Sequence, residues 1–274
     1  MKTLYISDLD GTLLNAQAEL SDYTASVLNR LIACGIHFSV ATARTAATSF
    51  LILENIKINI PVVLMNGVVI YDIAAKKYVK KEILQKEPKE QILSAMRRVN
   101  LTGLMYALSG DELVTYYERI CNKALQDFID ERTVKYNKKF MQIDDFANAD
   151  TDVIYFCFLD SFENINRIYD ELESIGDLQI EKYQDIYSGG ALWYLEVFNG
   201  TASKHNAVQF LREQYGFDRV IGFGDNLNDL SLFAACDECY AVANAKPEVK
   251  EAATAVIDSN IDDGVVRWLE ERLL

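Results

Sequence analysis

The chain has 274 residues, half of them apolar and a quarter charged, which is typical of a globular protein with one large domain or two ordinary ones. Its net charge of −14 argues against nucleic acid or an anionic membrane as a partner, because both require a basic surface. A small anionic substrate is still compatible with this charge, since a few local cations can reverse the field inside one cleft. No apolar stretch approaches the ~20 residues of a membrane helix. Asp8 and Asp10 interrupt the first apolar run, so we expect no signal peptide.

The five cysteines, Cys34, Cys121, Cys157, Cys236 and Cys239, are scattered along the chain. An odd number without a secretory signal is typical of free thiols in a reducing cytoplasm, and we expect a cytoplasmic protein. Cys236 and Cys239 have C-x-x-C spacing, but no second pair of ligands stands near them. A zinc site is therefore not predicted there.

The first predicted element is a short buried strand, Leu4-Tyr5-Ile6, which leads into Asp8, Asp10 and the turn residue Gly11. Both acids thus lie at the carboxyl end of a strand, where open α/β sheets place their chemistry. Two acids this close repel each other, which favours a nearby cation or a shared proton. Taken alone, Asp-x-Asp is better explained as a turn that caps a helix.

Strands and helices then alternate, which predicts a parallel sheet with crossover helices. The next elements are a helix from Ser21 to Gly35, a strand at 36–41 that leads into Thr42 and Arg44, a helix to about Glu54, and a strand at 61–65 joined by an Asn66-Gly67 hairpin turn to 68–71.

The pattern changes near Glu82. Strands now come in pairs around helices: a helix at 89–99 precedes strands at 104–108 and 113–117, and a second helix is predicted at 162–175. No element is predicted from residue 118 through Asp150. Further strands are predicted at 153–158, 178–182 and 193–197. We therefore predict an α+β domain, residues 83–190, inserted into an α/β core formed by residues 1–82 and 191–274.

The alternation of strands and helices resumes at Ser203 with a helix that ends at Gly216. The strand Arg219–Phe223 follows it and runs into Gly224-Asp225-Asn226-Leu227-Asn228-Asp229. Further strands at 240–243 and 255–257, each followed by a helix, complete the predicted core.

Polar residues thus follow several core strands or begin a core helix: Asp8, Asp10, Thr42, Lys204, Asp225 and Asp229. In a parallel sheet such groups meet at one edge. A lysine and a hydroxyl suit phosphoryl oxygens, and carboxylates are ligands that Mg²⁺ prefers. Each residue alone is better explained as a cap, a turn or a surface charge, but the ordered set is not.

With these residues the chain resembles the haloacid-dehalogenase-like superfamily of phosphatases, and more narrowly its Cof-type branch with a large α/β cap (subfamily IIB). The four family motifs are matched by Asp8-Leu9-Asp10-Gly11-Thr12, by Thr42 in Ala41-Thr42-Ala43-Arg44, by Lys204 at a helix start, and by Gly224–Asp229. Ala243-Asn244-Ala245 and Asp263-Gly264-Val265 also resemble recurring segments of that branch. His205 departs from the glycine that often follows the motif lysine. The resemblance implies a doubly wound, Rossmann-like parallel-sheet core with an inserted α+β cap.

The resemblance also implies an Mg²⁺-dependent phosphatase for a small phosphorylated metabolite. The cations Arg97, Arg98, Arg119 and Lys123 and the many tyrosines of the insert suit a polar, hydroxylated leaving group, so a sugar phosphate is the expected substrate. The resemblance makes Asp8 the nucleophile that forms an aspartyl-phosphate, and Asp10 the general acid and base. Phosphoryl oxygens would be bound by Thr42, Lys204, Arg44 and Asn228. The metal would be held by Asp8, the backbone carbonyl of Asp10, and Asp225, with Asp229 in support.

Three alternatives stay open at this point. A sugar-phosphate mutase would share the fold and the motifs, and a receiver-type signalling domain would share the Asp, Thr, Lys and Mg²⁺. A catalytically inactive binding protein would need none of the motif residues, although all are present. The metabolite and the oligomeric state do not follow from the sequence.

Overall fold

The chain forms two compact units in a computed structural model that describes residues 1–149, 151–185 and 190–274. The core unit comprises Met1–Lys80 and Ser203–Leu274, and the inserted unit comprises Lys81–Ala202. The predicted limit at 82/83 lies close to the observed one, but the structure moves the second limit from residue 190 to residue 202. The reason is the strand Trp193–Asn199, which pairs with Asp152–Asp160 of the inserted unit and not with the core sheet.

The strands of the described residues, in chain order, are β1 (Thr3–Ser7), β2 (His37–Val40), β3 (Val62–Leu64), β4 (Val69–Asp72), β5 (Lys77–Lys81), β6 (Leu104–Ser109), β7 (Glu112–Tyr117), β8 (Phe140–Gln142), β9 (Asp152–Asp160), β10 (Leu178–Gln184), β11 (Trp193–Asn199), β12 (Arg219–Gly224), β13 (Glu238–Val242) and β14 (Ala255–Ile257). The α-helices are α1 (Asp22–Ala33), α2 (Ala46–Leu53), α3 (Lys86–Val99), α4 (Lys123–Tyr136), α5 (Phe162–Leu172), α6 (Lys204–Tyr215), α7 (Asp229–Phe233), α8 (Pro247–Ala252) and α9 (Gly264–Leu273).

The core unit is built on a five-stranded parallel sheet with the order β14-β13-β12-β1-β2. A parallel bridge between Ala41 and Val63 continues this order to β3, which forms the predicted antiparallel hairpin with β4. The sheet brings the carboxyl ends of β12, β1 and β2 side by side. The residues that follow them, Asp225, Asp8 and Thr42, therefore emerge at one edge, as open α/β sheets place their functional groups.

Local signals in the sequence explain where the core helices begin and end. The Ser21 side chain accepts a hydrogen bond from the amide of Thr24 and caps α1, and Ser203 caps α6 by accepting from the amide of Asn206. Helix α6 ends at Gly216, whose φ of 64° is the left-handed conformation that glycine adopts at little cost. The capped start of α6 fixes the position of Lys204.

The inserted unit has a six-stranded sheet with the order β10-β11-β9-β6-β7-β8. One face carries Met105, Phe156 and Val197 and forms a hydrophobic core with Ile92 of α3 and Ile165 of α5. The other face is partly covered by α4, where Phe128 contacts Tyr194 with ring centroids 6.4 Å apart. Helix α4 lies between residues 118 and 150, the segment where no element was predicted. Asp150, the last residue of that segment, is outside the described residues. Only Leu125 and Ile129 of α4 are buried, so its apolar pattern is weak.

No helix of the described part of the chain is long and apolar enough to cross a membrane. All five cysteines are free thiols, as the sequence predicts. Cys236 donates to the carbonyl of Leu232 at 3.2 Å, and Cys239 donates to that of Ala252 at 3.5 Å. Each thiol of the C-x-x-C pair thus has a local backbone partner.

Candidate active site

A buried lysine lies at the centre of the site. The Lys204 ammonium donates to Asp8 Oδ1 at 2.6 Å and to Asp229 Oδ1 at 2.7 Å, with 1% of its side chain exposed. Burial alone lowers the pKa of this amine, but the carboxylates of Asp229 and Asp8 outweigh burial and raise it above its ordinary value. Lys204 is therefore a permanent cation that fixes two carboxylates.

Lys204 is held in place by the turn at Asn66-Gly67. Gly67 has a φ of 99°, and a Cβ there would lie 2.2 Å from the carbonyl oxygen of Ser203. Only glycine permits the hairpin turn to lie this close to the start of α6. The Asn66-Gly67 pair thus serves both the hairpin and the packing of the helix that carries Lys204.

Asp229 ties the loop after β12 to Lys204. Its Oδ1 accepts from Lys204, and its Oδ2 accepts from the amides of Asp225 and Asn226 at 2.9 and 3.0 Å. A Cβ at Gly224 would lie 2.6 Å from the Cβ of Asp229, so the loop needs glycine there. Both oxygens of Asp229 are engaged, which makes this residue a support for the loop.

Asp225 lies against the turn that follows β1. Its Oδ1 accepts from the hydroxyl of Thr12 at 2.6 Å. A Cβ at Gly11, where φ is 80°, would lie 2.5 Å from Asp225 Oδ2. Burial raises the pKa of Asp225 to about 6, although the hydrogen bond from Thr12 lowers it. The sequence reasoning treated Thr12 only as part of a motif, although a hydroxyl directly after the turn glycine was the available signal.

The three carboxylates fit a divalent metal. One oxygen each of Asp8, Asp225 and Asp229 lies within 4.8 Å of the others. Burial raises the pKa of Asp8 well above its usual value; Lys204 opposes this, and the charges of Asp229 and Asp225 add to it. Three acids with one lysine leave an excess of negative charge, and an all-oxygen set suits Mg²⁺. Among the described residues, Asp8 Oδ2 and Asp225 Oδ2 accept no hydrogen bond, so they are the free oxygens.

The carboxylate of Asp10 is not part of this cluster. Arg44 donates to it through Nε and Nη2, each at 2.6 Å, in a two-pronged ion pair. The Asp10 side chain is 48% exposed, whereas that of Asp8 is 8% exposed. The two acids of the first motif therefore occupy different environments. Arg44, expected at a phosphoryl group, has its guanidinium on Asp10.

Thr42 and Asn228 both contact the loop at Asn66. The backbone amide of Asn66 donates to the backbone carbonyl of Thr42 at 3.0 Å, and the side-chain oxygen of Asn66 accepts from Asn228 Nδ2 at 3.2 Å. The Thr42 hydroxyl accepts from the amide of Arg44 at 3.2 Å. Asn66 has a φ of 54°, which asparagine tolerates better than most residues. The sequence identified this residue as a turn former, and its contact with Asn228 came only from the structure.

Asn244 is a supporting residue to which the sequence reasoning gave no role. Its Nδ2 donates to the carbonyl of Gly11 at 2.7 Å, and its Oδ1 accepts from the amide of Asn260 at 3.0 Å. Two residues on, the amide of Lys246 donates to the carbonyl of Asp225 at 2.9 Å. The Ala243-Asn244-Ala245 segment thus holds the turns that carry Asp8 and Asp225.

The sequence matches the haloacid dehalogenase-like hydrolases over residues 5–269, nearly the whole chain. The chain belongs to this family. The predicted family, fold class and enzymatic nature are thereby confirmed, and the receiver-domain and inactive-binding-protein alternatives are dropped.

Similar proteins of this hydrolase family span the same length. A Haemophilus influenzae protein named "Putative phosphatase" is 28% identical, with 97% of this chain and 96% of that protein covered. A Bacillus subtilis 5-amino-6-(5-phospho-D-ribitylamino)uracil phosphatase is 23% identical, with 100% and 98% covered. A solved haloacid dehalogenase-like hydrolase from Bacteroides thetaiotaomicron has a TM-score of 0.82 at 22% identity, with 99% of each chain covered. That likeness shows that the fold of the whole chain is shared.

Proposed function

We propose that this hydrolase is an Mg²⁺-dependent phosphatase that releases phosphate from a small phosphorylated metabolite through an aspartyl-phosphate on Asp8. The observation that carries the proposal is the environment of Asp8. Its Oδ1 is held by Lys204, while its Oδ2 accepts no hydrogen bond from the described residues. A fixed carboxylate with one free oxygen at the end of a buried strand suits a nucleophile.

The proposed chemistry has two steps, with Asp10 acting in both. In the first, a carboxylate oxygen of Asp8 forms a bond to phosphorus while the ester P–O bond breaks, and Asp10 gives its proton to the departing alcohol. In the second, Asp10 takes a proton from a water that attacks the phosphorus of the aspartyl-phosphate, which restores Asp8 and releases inorganic phosphate. Arg44 positions Asp10 through the two-pronged ion pair.

The remaining residues are proposed to hold the metal ion and to bind the phosphoryl oxygens. Asp8 and Asp225 would hold Mg²⁺ through their free oxygens, with the carbonyl of Asp10 as a further proposed ligand and Asp229 in support. The metal would supply positive charge to the phosphoryl group. Thr42 and Lys204 would donate to phosphoryl oxygens, with Asn228 as a further contact. Mg²⁺ is proposed here over softer metals because the candidate ligands are all oxygens.

The inserted unit is proposed to select the substrate. The core residues above can recognise only phosphate and metal, so discrimination between esters must come from other residues. The Bacillus subtilis relative is named for an ester whose phosphate is carried on a ribityl chain. A phosphate on a sugar or a similar polyhydroxylated chain is therefore the substrate class we propose.

The test is phosphate release by the purified full chain from sugar phosphates, nucleotides, cofactor phosphates and p-nitrophenyl phosphate, with Mg²⁺ or with EDTA. We expect turnover of at least one ester with Mg²⁺ and none with EDTA. Asp8→Asn should be inactive, and Asp22→Asn, which changes an exposed carboxylate of α1, should match the wild type.

Three results would contradict the proposal: no phosphate from any ester, full activity in excess EDTA, or wild-type turnover by Asp8→Asn. An isomeric sugar phosphate without release of inorganic phosphate would instead identify the mutase that the sequence left open. Product analysis by phosphorus NMR separates these outcomes.

A further inference from the structure

The turn between β3 and β4 has an unusual backbone. Met65, Asn66 and Gly67 follow one another with φ values of 52°, 54° and 99°, so three consecutive residues are in the left-handed region. An Asn-Gly hairpin turn explains two positive φ values, but it does not require one at Met65. A left-handed methionine is uncommon, and such a conformation persists where the surrounding structure imposes it, often at a functional site. The contacts of this turn therefore indicate its role.

Two main-chain hydrogen bonds hold the turn against the segment that follows β2. The amide of Met65 donates to the carbonyl of Arg44 at 3.0 Å, and the amide of Asn66 donates to that of Thr42 at 3.0 Å. Met65 and Asn66 are 2% and 5% exposed, so both residues are buried. The left-handed backbone is thus tied to two residues of the second motif.

The Asn66 side chain contacts the loop after β12. Its Oδ1 accepts from Asn228 Nδ2 at 3.2 Å, although the two residues are 162 positions apart. An asparagine amide has a donor end and an acceptor end, and a half-turn about its terminal bond exchanges them. Beside the Asn66 oxygen only one orientation of the Asn228 amide forms this hydrogen bond, because the other would bring two oxygens together. Asn66 therefore fixes which way the Asn228 amide faces.

The fixed amide leaves Asn228 with a second N–H group. Nδ2 carries two hydrogens, and Asn66 accepts one of them. Within residues 1–149, 151–185 and 190–274, no acceptor takes the other. Asn228 is half-buried and directly precedes Asp229, whose Oδ1 accepts from Lys204 at 2.7 Å. An unused donor thus lies in the loop that also supplies acids to the candidate active site.

We propose that Asn66 is a positioning residue for phosphate, because it holds the Asn228 amide so that the second N–H donates to a phosphoryl oxygen. Asn66 acts on the phosphate through Asn228. This inference rests on the proposed phosphatase function and adds to it a residue that the sequence identified only as a turn former. The left-handed turn then has a function, since its bonds to Thr42 and Arg44 set the position from which Asn66 reaches Asn228.

The test removes the Asn66 side chain and keeps its backbone. Asn66→Gly retains the amide that donates to Thr42 and a residue that adopts a φ of 54° readily, but it removes the acceptor for Asn228. The probe is inorganic phosphate, used as a competitive inhibitor of p-nitrophenyl phosphate hydrolysis by the full chain. We expect its Ki to rise about tenfold, as for a weakened hydrogen bond to a charged group. The kcat should change by less than about threefold, because bound ester and transition state share this contact.

A double-mutant cycle tests whether Asn66 acts through Asn228. Asn228→Ala alone should raise the Ki of phosphate at least about tenfold. Adding Asn66→Gly to Asn228→Ala should raise it by less than about twofold more, because the residue on which Asn66 acts is already absent. A turn that supports the site only by its structure would instead give effects that multiply.

Two further measurements are matched controls. Asn137→Gly makes the same substitution at a φ of 49°, in the exposed residue that ends α4 of the inserted unit, and should keep the wild-type Ki. The Mg²⁺ concentration for half-maximal activity should be unchanged in Asn66→Gly, since the proposed metal ligands Asp8 and Asp225 follow other strands. A cooperative melt of Asn66→Gly shows that the fold is retained.

The outcomes separate this inference from the proposed function. The inference is wrong if Asn66→Gly or Asn228→Ala leaves the Ki of phosphate unchanged, or if their effects multiply in full. It is equally wrong if Asn66→Gly loses its cooperative melt or needs more Mg²⁺, because the turn would then support the whole site. If the wild type hydrolyses no ester, p-nitrophenyl phosphate included, the phosphatase function itself fails.

Discussion

Replacing Lys138 by methionine should stabilise the inserted unit, and the gain should increase as the pH falls. Lys138 is 6% exposed, and its ammonium lies 4.2 Å from the ring centroid of Tyr106. Burial lowers its pKa to about 7, the charge of Glu196 opposes this, and the charge of Arg132 adds to it. The unfolded chain has a lysine of ordinary pKa, 10.5. Between these two values the unfolded state binds more protons than the folded state, so wild-type stability rises with pH. The penalty is fully present below pH 7 and is lost as the pH approaches 10.5.

The stability penalty of burying Lys138 follows from the difference between its pKa values in the folded and unfolded states. Each pKa unit corresponds to about 1.4 kcal/mol, so the penalty at neutral pH is on the order of 5 kcal/mol. Between pH 6.5 and pH 9 the difference in unfolding free energy between Lys138→Met and the wild type should shrink by about 2.5 kcal/mol. Other titrating groups of the unit are common to both proteins, so most of their contribution cancels in the difference.

Urea unfolding monitored by tryptophan fluorescence can measure this difference. The chain has two tryptophans, Trp193 in the inserted unit and Trp268 in the core unit. In a Trp268→Phe background the signal reports Trp193 alone, whose ring lies 4.8 Å from that of Phe162. A separate probe is needed because two units need not unfold in one step. Lys139→Met in the same background should stay within about 0.5 kcal/mol of its parent at each pH.

Two results would refute this reasoning about Lys138. A difference that is the same at pH 6.5 and pH 9 would mean that the amine titrates normally. A variant less stable than the wild type at pH 6.5 would mean that the contacts of the lysine outweigh its burial. In either case Lys138 would not be an uncompensated buried cation.

Three further predictions concern the core unit. Asp8→Asn should lower turnover to below about one thousandth of the wild type while a cooperative melt is retained, because Lys204 keeps its bond to Asp229; turnover near the wild-type value would contradict the assignment of the nucleophile. Asp225→Ala should raise the Mg²⁺ concentration for half-maximal activity at least about tenfold, and an unchanged Mg²⁺ titration would exclude this residue as a ligand. Arg44→Lys loses the two-pronged contact to Asp10, so kcat should fall about tenfold for alkyl phosphates but much less for p-nitrophenyl phosphate, whose leaving group needs no proton. An equal fall for both esters would argue that Arg44 acts on phosphate rather than through Asp10.

Much of the core could be predicted from the sequence because its signals are local. The strand before Asp8, the serine caps of α1 and α6 and the glycine turns all depend on residues within a few positions of one another. Parallel topology then places the ends of β1, β2 and β12 at one edge without further information. The contacts among Asp8, Lys204 and Asp229 follow from this edge, although their sequence separations are large.

The sequence did not show which residues far apart in the chain pair with each other in the fold. Strand β11 has the apolar pattern of a core strand, and its pairing with β9 and β10 assigns it to the inserted unit. Arg44 has no local feature that directs it to Asp10, 34 residues away. Lys138 and Lys139 are neighbours of the same type, yet one is buried and the other exposed. The left-handed Asn137 that ends α4 and the pairing of β8 with β7 decide which of them turns inward.

The two buried lysines show how the same side chain can have opposite roles. Lys204 has two carboxylates on its ammonium, and they raise its pKa, so its charge is committed before any ligand arrives. Its one remaining N–H can donate a hydrogen bond to a phosphoryl oxygen. The three carboxylates of Asp8, Asp225 and Asp229 together with this one ammonium leave two negative charges for a divalent cation to balance. Lys138 has the ring of Tyr106 4.2 Å from its ammonium, and burial lowers its pKa although the charge of Glu196 opposes this. The charge of Lys204 therefore stabilises the core site, whereas the charge of Lys138 destabilises the inserted unit.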